Sequence, residues 1–228
     1  MKNLTYIASK VHITDKGKNK EGDHNFTDFY NDEFERIHEI ARHEKRPVRI
    51  LEIGLFHGDS ALMYDEFFDS ECVIYSLEID ESLAKEFNET KARPNICILV
   101  GDQSDTDTLN QLRTMFINNK FDIILDDGSH EHKDQMKTLA ILSDILAYDG
   151  IYILEDLHTS LPDEPRYCQD TDRTNTPLFT LLFNKDSIYL TDEENKKLRE
   201  TIKNIKIYER RNDYIEFGCS ITSIIRFK

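Results

Sequence analysis

Two short acidic stretches carry the side chains in this sequence best suited to chemistry. Asp126-Asp127-Gly128-Ser129-His130 and Glu155-Asp156-Leu157-His158 each follow an apolar run, Phe121 to Leu125 and Ile151 to Leu154. If those runs are neighbouring strands, about 4.8 Å apart, three carboxylates converge on one sheet edge. Carboxylates that close repel one another and raise their own pKa values, and a hard cation relieves the repulsion. Oxygen-only ligands favour Mg²⁺, Mn²⁺ or Ca²⁺ over zinc. Asp127, Glu155 and Asp156 are therefore the expected metal ligands, for Mg²⁺ or Mn²⁺. His130 lies one turn beyond Asp127 and titrates nearest neutral pH, so it is the expected general base. Taken singly, Asp-Gly is also a turn and Glu-Asp a loop cap. Their pairing at one edge is what favours a metal.

A second constellation precedes these acids. Leu51-Glu52-Ile53-Gly54 closes one apolar run and Gly58 opens the next helical stretch. A glycine there lets backbone approach a ligand closely, and the helix start offers free N–H groups. Two glycines do not make the G-x-G-x-x-G dinucleotide fingerprint, so no pyrophosphate cradle is evident. Glu78 ends the next run, where an acid can accept hydrogen bonds from both ribose hydroxyls. Gly101-Asp102-Gln103 closes the run after that, within reach of an adenine edge, although Asp102 could equally cap the following helix. Glu52, Gly54, Glu78, Asp102, Gln103 and Asp126 form the expected cofactor-binding set. A ribose acid without phosphate machinery suits S-adenosylmethionine, whose sulfonium is cationic.

These residues need a scaffold that brings strand ends together. Val48 to Ile53, Val73 to Leu77, Ile96 to Val100, Phe121 to Leu125 and Ile151 to Leu154 read as strands. Between them, Gly58 to Phe68, Glu81 to Ala92, Asp105 to Asn118 and Lys133 to Leu146 read as helices. Strands alternating with helices imply right-handed crossovers and a parallel sheet, with ligands outside the carboxyl ends of the strands. Asn204 to Tyr208 and Ser220 to Phe227 read as two late strands. The expected fold is α/β: a Rossmann-like, doubly wound, mostly parallel seven-stranded sheet with an antiparallel C-terminal hairpin. Residues 1–45 hold one helix, from Thr27 to about Ala41, and are expected to cover the site. Residues 46–157 form the cofactor- and metal-binding core. Residues 158–228, irregular and then helical from Asp192 to Ile202, supply the acceptor pocket and the hairpin, all within a single domain.

Composition narrows the partners. With 44 acidic against 29 basic residues the chain carries −15, a charge that repels phosphate backbones and anionic lipid. No nucleic acid and no membrane partner is expected. The first ten residues lack the apolar run of a signal peptide, and nothing approaches the length of a membrane helix. Cys72, Cys97, Cys168 and Cys219 lack CxxC spacing, and the first two sit in or beside apolar strand-like runs as expected buried, reduced thiols. A cytoplasmic protein is the simplest expectation. Homo-oligomerisation rests on fold-level analogy alone.

From Thr14 to Ser160 the sequence resembles the metal-dependent sugar O-methyltransferases of macrolide biosynthesis, the mycinamicin-type enzymes. The matching pieces are Thr14-Asp15-Lys16-Gly17, His24 with Tyr30, Leu51-Glu52-Ile53-Gly54, Gly101-Asp102-Gln103-Ser104-Asp105, Asp126-Asp127-Gly128-Ser129-His130 and Glu155-Asp156-Leu157. The resemblance implies Asp127, Glu155 and Asp156 on Mg²⁺, His130 as base, Glu78 on the ribose, and Asp102 with Gln103 near the adenine. It places Lys16 and His24 in a segment over the site without assigning them roles. The extra N-terminal domain of those enzymes is not expected here, so their macrolide specificity does not carry over. Glu52 to Ser60 is also similar to the catechol and caffeoyl-CoA O-methyltransferases, whose metal site follows a different Asp/Asn pattern. The expected activity is methyl transfer from S-adenosylmethionine to a hydroxyl of a sugar or glycoside, with Mg²⁺. Two alternatives keep the same edge: N-methylation of an amino sugar, or a metal-dependent hydroxylase or hydrolase. For an iron oxygenase, His130 and His158 with one carboxylate would supply the two-His-one-carboxylate set. A binding protein on a decayed methyltransferase fold would be expected to lose these acids and His130, and all are present.

Overall fold

The computed structural model describes residues 3–12, 14–17, 24–161, 173–211 and 219–228. Seven strands form one sheet: β1 (Val48–Ile53), β2 (Cys72–Glu78), β3 (Ile96–Val100), β4 (Phe121–Asp126), β5 (Leu146–Leu154), β6 (Ile202–Arg211) and β7 (Cys219–Phe227). Their order is β3-β2-β1-β4-β5-β7-β6. The first five are parallel, and β7 runs antiparallel between β5 and β6. This is the expected seven-stranded, Rossmann-like sheet with its C-terminal hairpin. Strand order reverses between β1 and β4, which opens a crevice at the carboxyl ends of the strands.

Eight α-helices flank the sheet: α1 (Leu4–Lys10), α2 (Thr27–Glu44), α3 (Asp59–Phe67), α4 (Glu81–Thr90), α5 (Thr106–Phe116), α6 (His132–Leu142), α7 (Pro177–Phe183) and α8 (Asp192–Thr201), counted among the described residues. Side chains alternate across each strand, so one sheet feeds two cores. Ile50, Ile74, Ile123 and Ile153 join Tyr30, Phe34, Tyr64 and Phe87 from α2, α3 and α4. Their sequence neighbours Leu51, Ile124 and Tyr152 join Leu112, Leu139 and Leu198 from α5, α6 and α8. All six residues of β4 are buried, as a strand covered on both faces requires. Asp122 at its start is tied to Arg46 by two hydrogen bonds of 2.7 and 2.8 Å, which fixes the entry into β1.

Helix starts follow local chemistry. Asp80 and Asp105 cap α4 and α5 through backbone N–H groups two and three residues ahead. Asp102 therefore leaves the capping of α5 to Asp105. Thr191 and Glu194 form a capping box on α8. Two helices lie outside the sequence expectation. The α1 helix is seven residues long, capped by Asn3. The α7 helix opens with Thr176 as cap and Pro177 at its first position, a start signal within a stretch read as irregular. The helix expected to reach Leu146 ends at Leu142. A 3-10 turn over Ser143–Ile145 follows, and β5 then begins at Leu146, five residues before the expected Ile151.

Cys72 is buried as expected, but Cys97 is exposed, because β3 is a sheet edge and leaves one of its faces to solvent. Cys168 and the side chain of Cys219 lie outside the described residues. No helix among the described residues is long and apolar enough to cross a membrane.

Candidate active site

A cavity of about 560 Å³ opens at the carboxyl ends of β1 to β4. Its floor is Ile53, Gly54 and Leu55 after β1, and its walls include Glu78, Asp102, Asp127, His130 and Asp156. Thr14, Asp15 and Lys16 from the N-terminal segment complete the wall. The size and the mixed lining suit a small organic ligand.

Gly54 has φ +90°, and a Cβ there would lie 2.3 Å from the Asp127 carbonyl oxygen. The close approach that requires glycine is thus between the loops after β1 and β4. Glu78 Oε2 accepts the backbone N–H groups of Leu55 and Phe56 at 3.0 and 2.8 Å, and Oε1 accepts that of Asp80 at 2.9 Å. A carboxylate offers about four lone-pair positions, so Glu78 can take one further donor rather than a pair of hydroxyls. Asp102 lines the cavity and accepts the Ser104 N–H at 2.7 Å. Gln103 also reaches the wall but is spent on bracing. Its Nε2 donates to Asp126 Oδ1 at 2.7 Å and to Thr138 at 3.0 Å, and its Oε1 accepts the Ser129 N–H at 2.9 Å.

Two members of the expected cofactor set lie beneath the cavity rather than on it. Asp126 is 1% exposed, with Oδ1 on Gln103 and Oδ2 accepting the Tyr152 hydroxyl at 3.0 Å. Burial pushes its carboxyl up to about 7 against the pull of those two donors. Glu52 is fully buried, with Ser76 donating to Oε2 at 3.4 Å. Burial lifts it to about 7 as well, against the attraction of Lys16. The pleat explains both positions. Successive residues at a strand end face opposite ways, so Asp126 points into the core and Asp127 into the cavity.

The acidic edge is arranged around Lys16 on one side and His130 on the other. Lys16 Nζ donates to Asp127 Oδ2 and, at 2.5 Å, to Glu155 Oε2. Lys16 is only 3% exposed, and although burial disfavours its charge, Asp127 and Glu155 hold its pKa well above the ordinary lysine value. Burial pushes Glu155 up, only partly offset by Lys16. Tyr30 donates to the remaining oxygen, Glu155 Oε1, at 2.9 Å and shares a second hydrogen bond with Thr222 at 2.8 Å.

On the cavity side, His130 Nε2 lies 3.9 Å from Asp127 Oδ1 and 3.5 Å from Asp156 Oδ2. Donor atoms of Asp127, His130 and Asp156 all fall within 4.8 Å of one another. His158 Nδ1 and His24 Nδ1 stand 3.6 and 3.8 Å from Asp156 Oδ1, and His24 Nδ1 also shares a 2.6 Å hydrogen bond with Ser220. Burial would raise Asp156, but the imidazoles of His24, His130 and His158 outweigh it and hold this carboxyl below its ordinary value. Its Oδ1 accepts no hydrogen bond from the described residues. Both Asp156 and His130 sit in left-handed backbone, φ +53° and +58°, which turns their side chains toward a common point.

Asp127, Glu155 and Asp156 thus converge as the sequence spacing implies, but unequally. Asp127 and Asp156 face the cavity, whereas Glu155 is buried behind Lys16. Lys16, Tyr30 and His24 are the contributors for which the sequence offered no role. Their only signal was membership of the motifs Thr14-Asp15-Lys16-Gly17 and His24 with Tyr30.

The fold is Rossmann-like and of the methyltransferase type, and residues 51–157 match the family described as "Methyltransferase domain". In sequence the chain is similar to several characterised O-methyltransferases. It is 31% identical to demethylmacrocin O-methyltransferase of Streptomyces fradiae over 69% of this chain and 38% of that protein. It is 31% identical to mycinamicin VI 2''-O-methyltransferase of Micromonospora griseorubida over 52% of this chain and 29% of that protein. The chain therefore spans about a third of the length of the curated relatives it matches. Among solved structures, MycE methyltransferase from the mycinamycin biosynthetic pathway, in complex with Mg and SAH, superimposes with a TM-score of 0.72 at 24% identity. That match covers 99% of this chain and 55% of MycE, and it establishes the shared fold.

Proposed function

We propose that this chain is an S-adenosylmethionine- and Mg²⁺-dependent O-methyltransferase acting on a hydroxyl of a sugar or glycoside, with Mn²⁺ an acceptable substitute. The observation that carries this reading is one cavity bounded on one side by Gly54, Glu78 and Asp102 and on the other by Asp127, His130 and Asp156. A methyl donor and an acceptor held there would meet beside the acids. The donor set suits a hard cation: carboxylate oxygens of Asp127 and Asp156 lie close together beside His130, with Asp156 Oδ1 accepting no hydrogen bond from the described residues. Glu155 would join them only if Lys16 withdrew. The relatives point the same way: two O-methyltransferases of Streptomyces olivaceus named for rhamnosyl tetracenomycin C are similar as well, and the MycE complex holds Mg and SAH.

When bound, the cation would polarise the acceptor hydroxyl as a Lewis acid, and the donor would supply the methyl group. The residues of the chain do the rest. Asp127 and Asp156 hold the charged edge, and Glu78 and Asp102 position the donor. Lys16 and the Thr14–Lys16 wall close one side against water. His130 accepts the hydroxyl proton at Nε2, and Asp127 and Asp156 on either side stabilise the imidazolium that forms. Residues 1–45 act as the cover, 46–157 as the catalytic core, and 158–228 as the acceptor side of a single cytoplasmic unit. The acceptor is a small molecule rather than nucleic acid, in keeping with the net charge of −15.

One observation favours a second reading. His130 Nε2 and His158 Nδ1 lie 3.5 and 3.6 Å from Asp156, the two-His-one-carboxylate composition of an iron hydroxylase, although the described donor atoms that fall within 4.8 Å of one another are those of Asp127, His130 and Asp156. A methyl-transfer assay against nucleotide sugars and free glycosides, with Mg²⁺ and with EDTA, separates the two. Methylation lost in EDTA is expected. Failure to bind S-adenosylmethionine in calorimetry would overturn the methyltransferase reading and favour the oxygenase.

A further inference from the structure

We propose that Lys16 and the divalent cation are alternative counter-ions of the Asp127–Glu155 pair, so that seating the cation on Glu155 requires the lysine ammonium to withdraw. This inference rests on the metal reading above and adds a regulatory element to the same site.

The two oxygens of Glu155 are both engaged. Oε1 accepts the Tyr30 hydroxyl, which is itself anchored on Thr222, and Oε2 accepts Lys16. Glu155 does not line the cavity, but Lys16 does, so the ammonium stands between the open space and this carboxylate. A cation entering from the cavity meets Asp127 and Asp156 first and can engage Glu155 only at the point that Lys16 Nζ occupies. Two positive centres cannot share that point, because both need the same pair of oxygens, Asp127 Oδ2 and Glu155 Oε2.

The backbone around Lys16 makes this placement deliberate. Its N–H donates to Thr14 Oγ1 at 3.1 Å, and its carbonyl accepts both the N–H and the hydroxyl of Thr27, at 3.1 and 3.2 Å. A Cβ on Gly17 would lie 2.9 Å from the backbone of Ala8, so the turn is wedged against α1. The backbone is therefore fixed, while the four-carbon side chain has the cavity beside it into which the ammonium can swing. A fixed turn carrying a movable cation is a built-in competitor. It satisfies the buried acids before metal arrives and lowers apparent metal affinity by the fraction of time that it occupies them.

The test uses the full chain and Mg²⁺ alone. Calorimetric titration compares the native protein with Lys16→Met, which keeps the length of the side chain but not its charge. The variant is expected to bind Mg²⁺ about tenfold or more tightly, since no resident cation has to leave. In parallel, amine-directed acetylation of the native protein is read residue by residue by mass spectrometry. Lys16 is expected to be protected without Mg²⁺ and to become labelled with it. Because this arm needs no variant, it stands even if Lys16→Met fails to fold. Equal or weaker affinity in a folded variant would overturn the proposal. So would Lys16 staying protected while Mg²⁺ binds, since a tighter variant would then reflect only unmasked negative charge. Absence of Mg²⁺ binding in both native protein and variant would refute the metal reading itself. Binding that appears only in the variant would also overturn it, because the native chain would then hold no cation for which Lys16 withdraws and unmasked charge alone would account for the variant.

Discussion

Replacing Glu52 by Gln tests how the floor of the site is held together. Glu52 is fully buried, and burial raises its carboxyl from the ordinary 4.5 to about 7. A carboxyl raised on folding binds a proton in the native state that the unfolded chain has already released. Stability from that proton is complete below pH 4.5 and is lost as pH rises through 7. Linkage with these two values gives a loss of about 1 kcal/mol by pH 5.5 and about 3 kcal/mol by pH 8.5. Glutamine has the shape of the protonated acid and cannot ionise. Urea unfolding of both proteins in EDTA-containing buffer should therefore show Glu52→Gln gaining about 2 kcal/mol on the native protein between pH 5.5 and 8.5. Asp126 is raised to about 7 in both proteins, so its contribution cancels in the difference. Parallel pH profiles would mean that Glu52 is not protonated at neutral pH in the fold, and the account of a buried, neutral acid beneath the cavity would be wrong.

Two further outcomes follow from the geometry. Gly54→Ala places a Cβ 2.3 Å from the Asp127 carbonyl at a backbone angle of φ +90°. Urea unfolding should register a loss of about 2 kcal/mol or more, with weaker Mg²⁺ binding because Asp127 moves, whereas a loss below about 0.5 kcal/mol would contradict the close packing of the two loops. His130→Ala should retain S-adenosylmethionine binding in calorimetry while methyl transfer falls by about 10² to 10⁴. Near-native turnover would remove His130 as the base.

The alternation of apolar runs and amphipathic stretches between Val48 and Leu154 determined the parallel sheet, because continuous burial of a strand and one-sided burial of a helix leave different periods in the sequence. The same pattern put both acidic stretches at strand ends, and hence at one edge. It also carried the late hairpin. Short helices escaped it: seven residues, as in α1 and α7, complete too few turns to show a period.

Which acid faces the cavity was decided only by the tertiary structure. Asp126 and Asp127 are chemically alike and adjacent, as are Glu155 and Asp156. A one-residue change of phase in the pleat, or the left-handed turn at Asp156, sends one of each pair into the interior and the other outward. The counter-ion of the edge was likewise beyond reach of the sequence. Lys16 lies 111 residues from Asp127 and 139 from Glu155, and no local spacing encodes a contact that long-range packing creates. That packing is the wedging of the Thr14–Gly17 turn between α1 and the start of α2, where Ala8 and Thr27 hold it. Burial then fixes the chemistry, because removing water from these carboxylates makes a nearby positive charge, whether ammonium or metal, necessary to them.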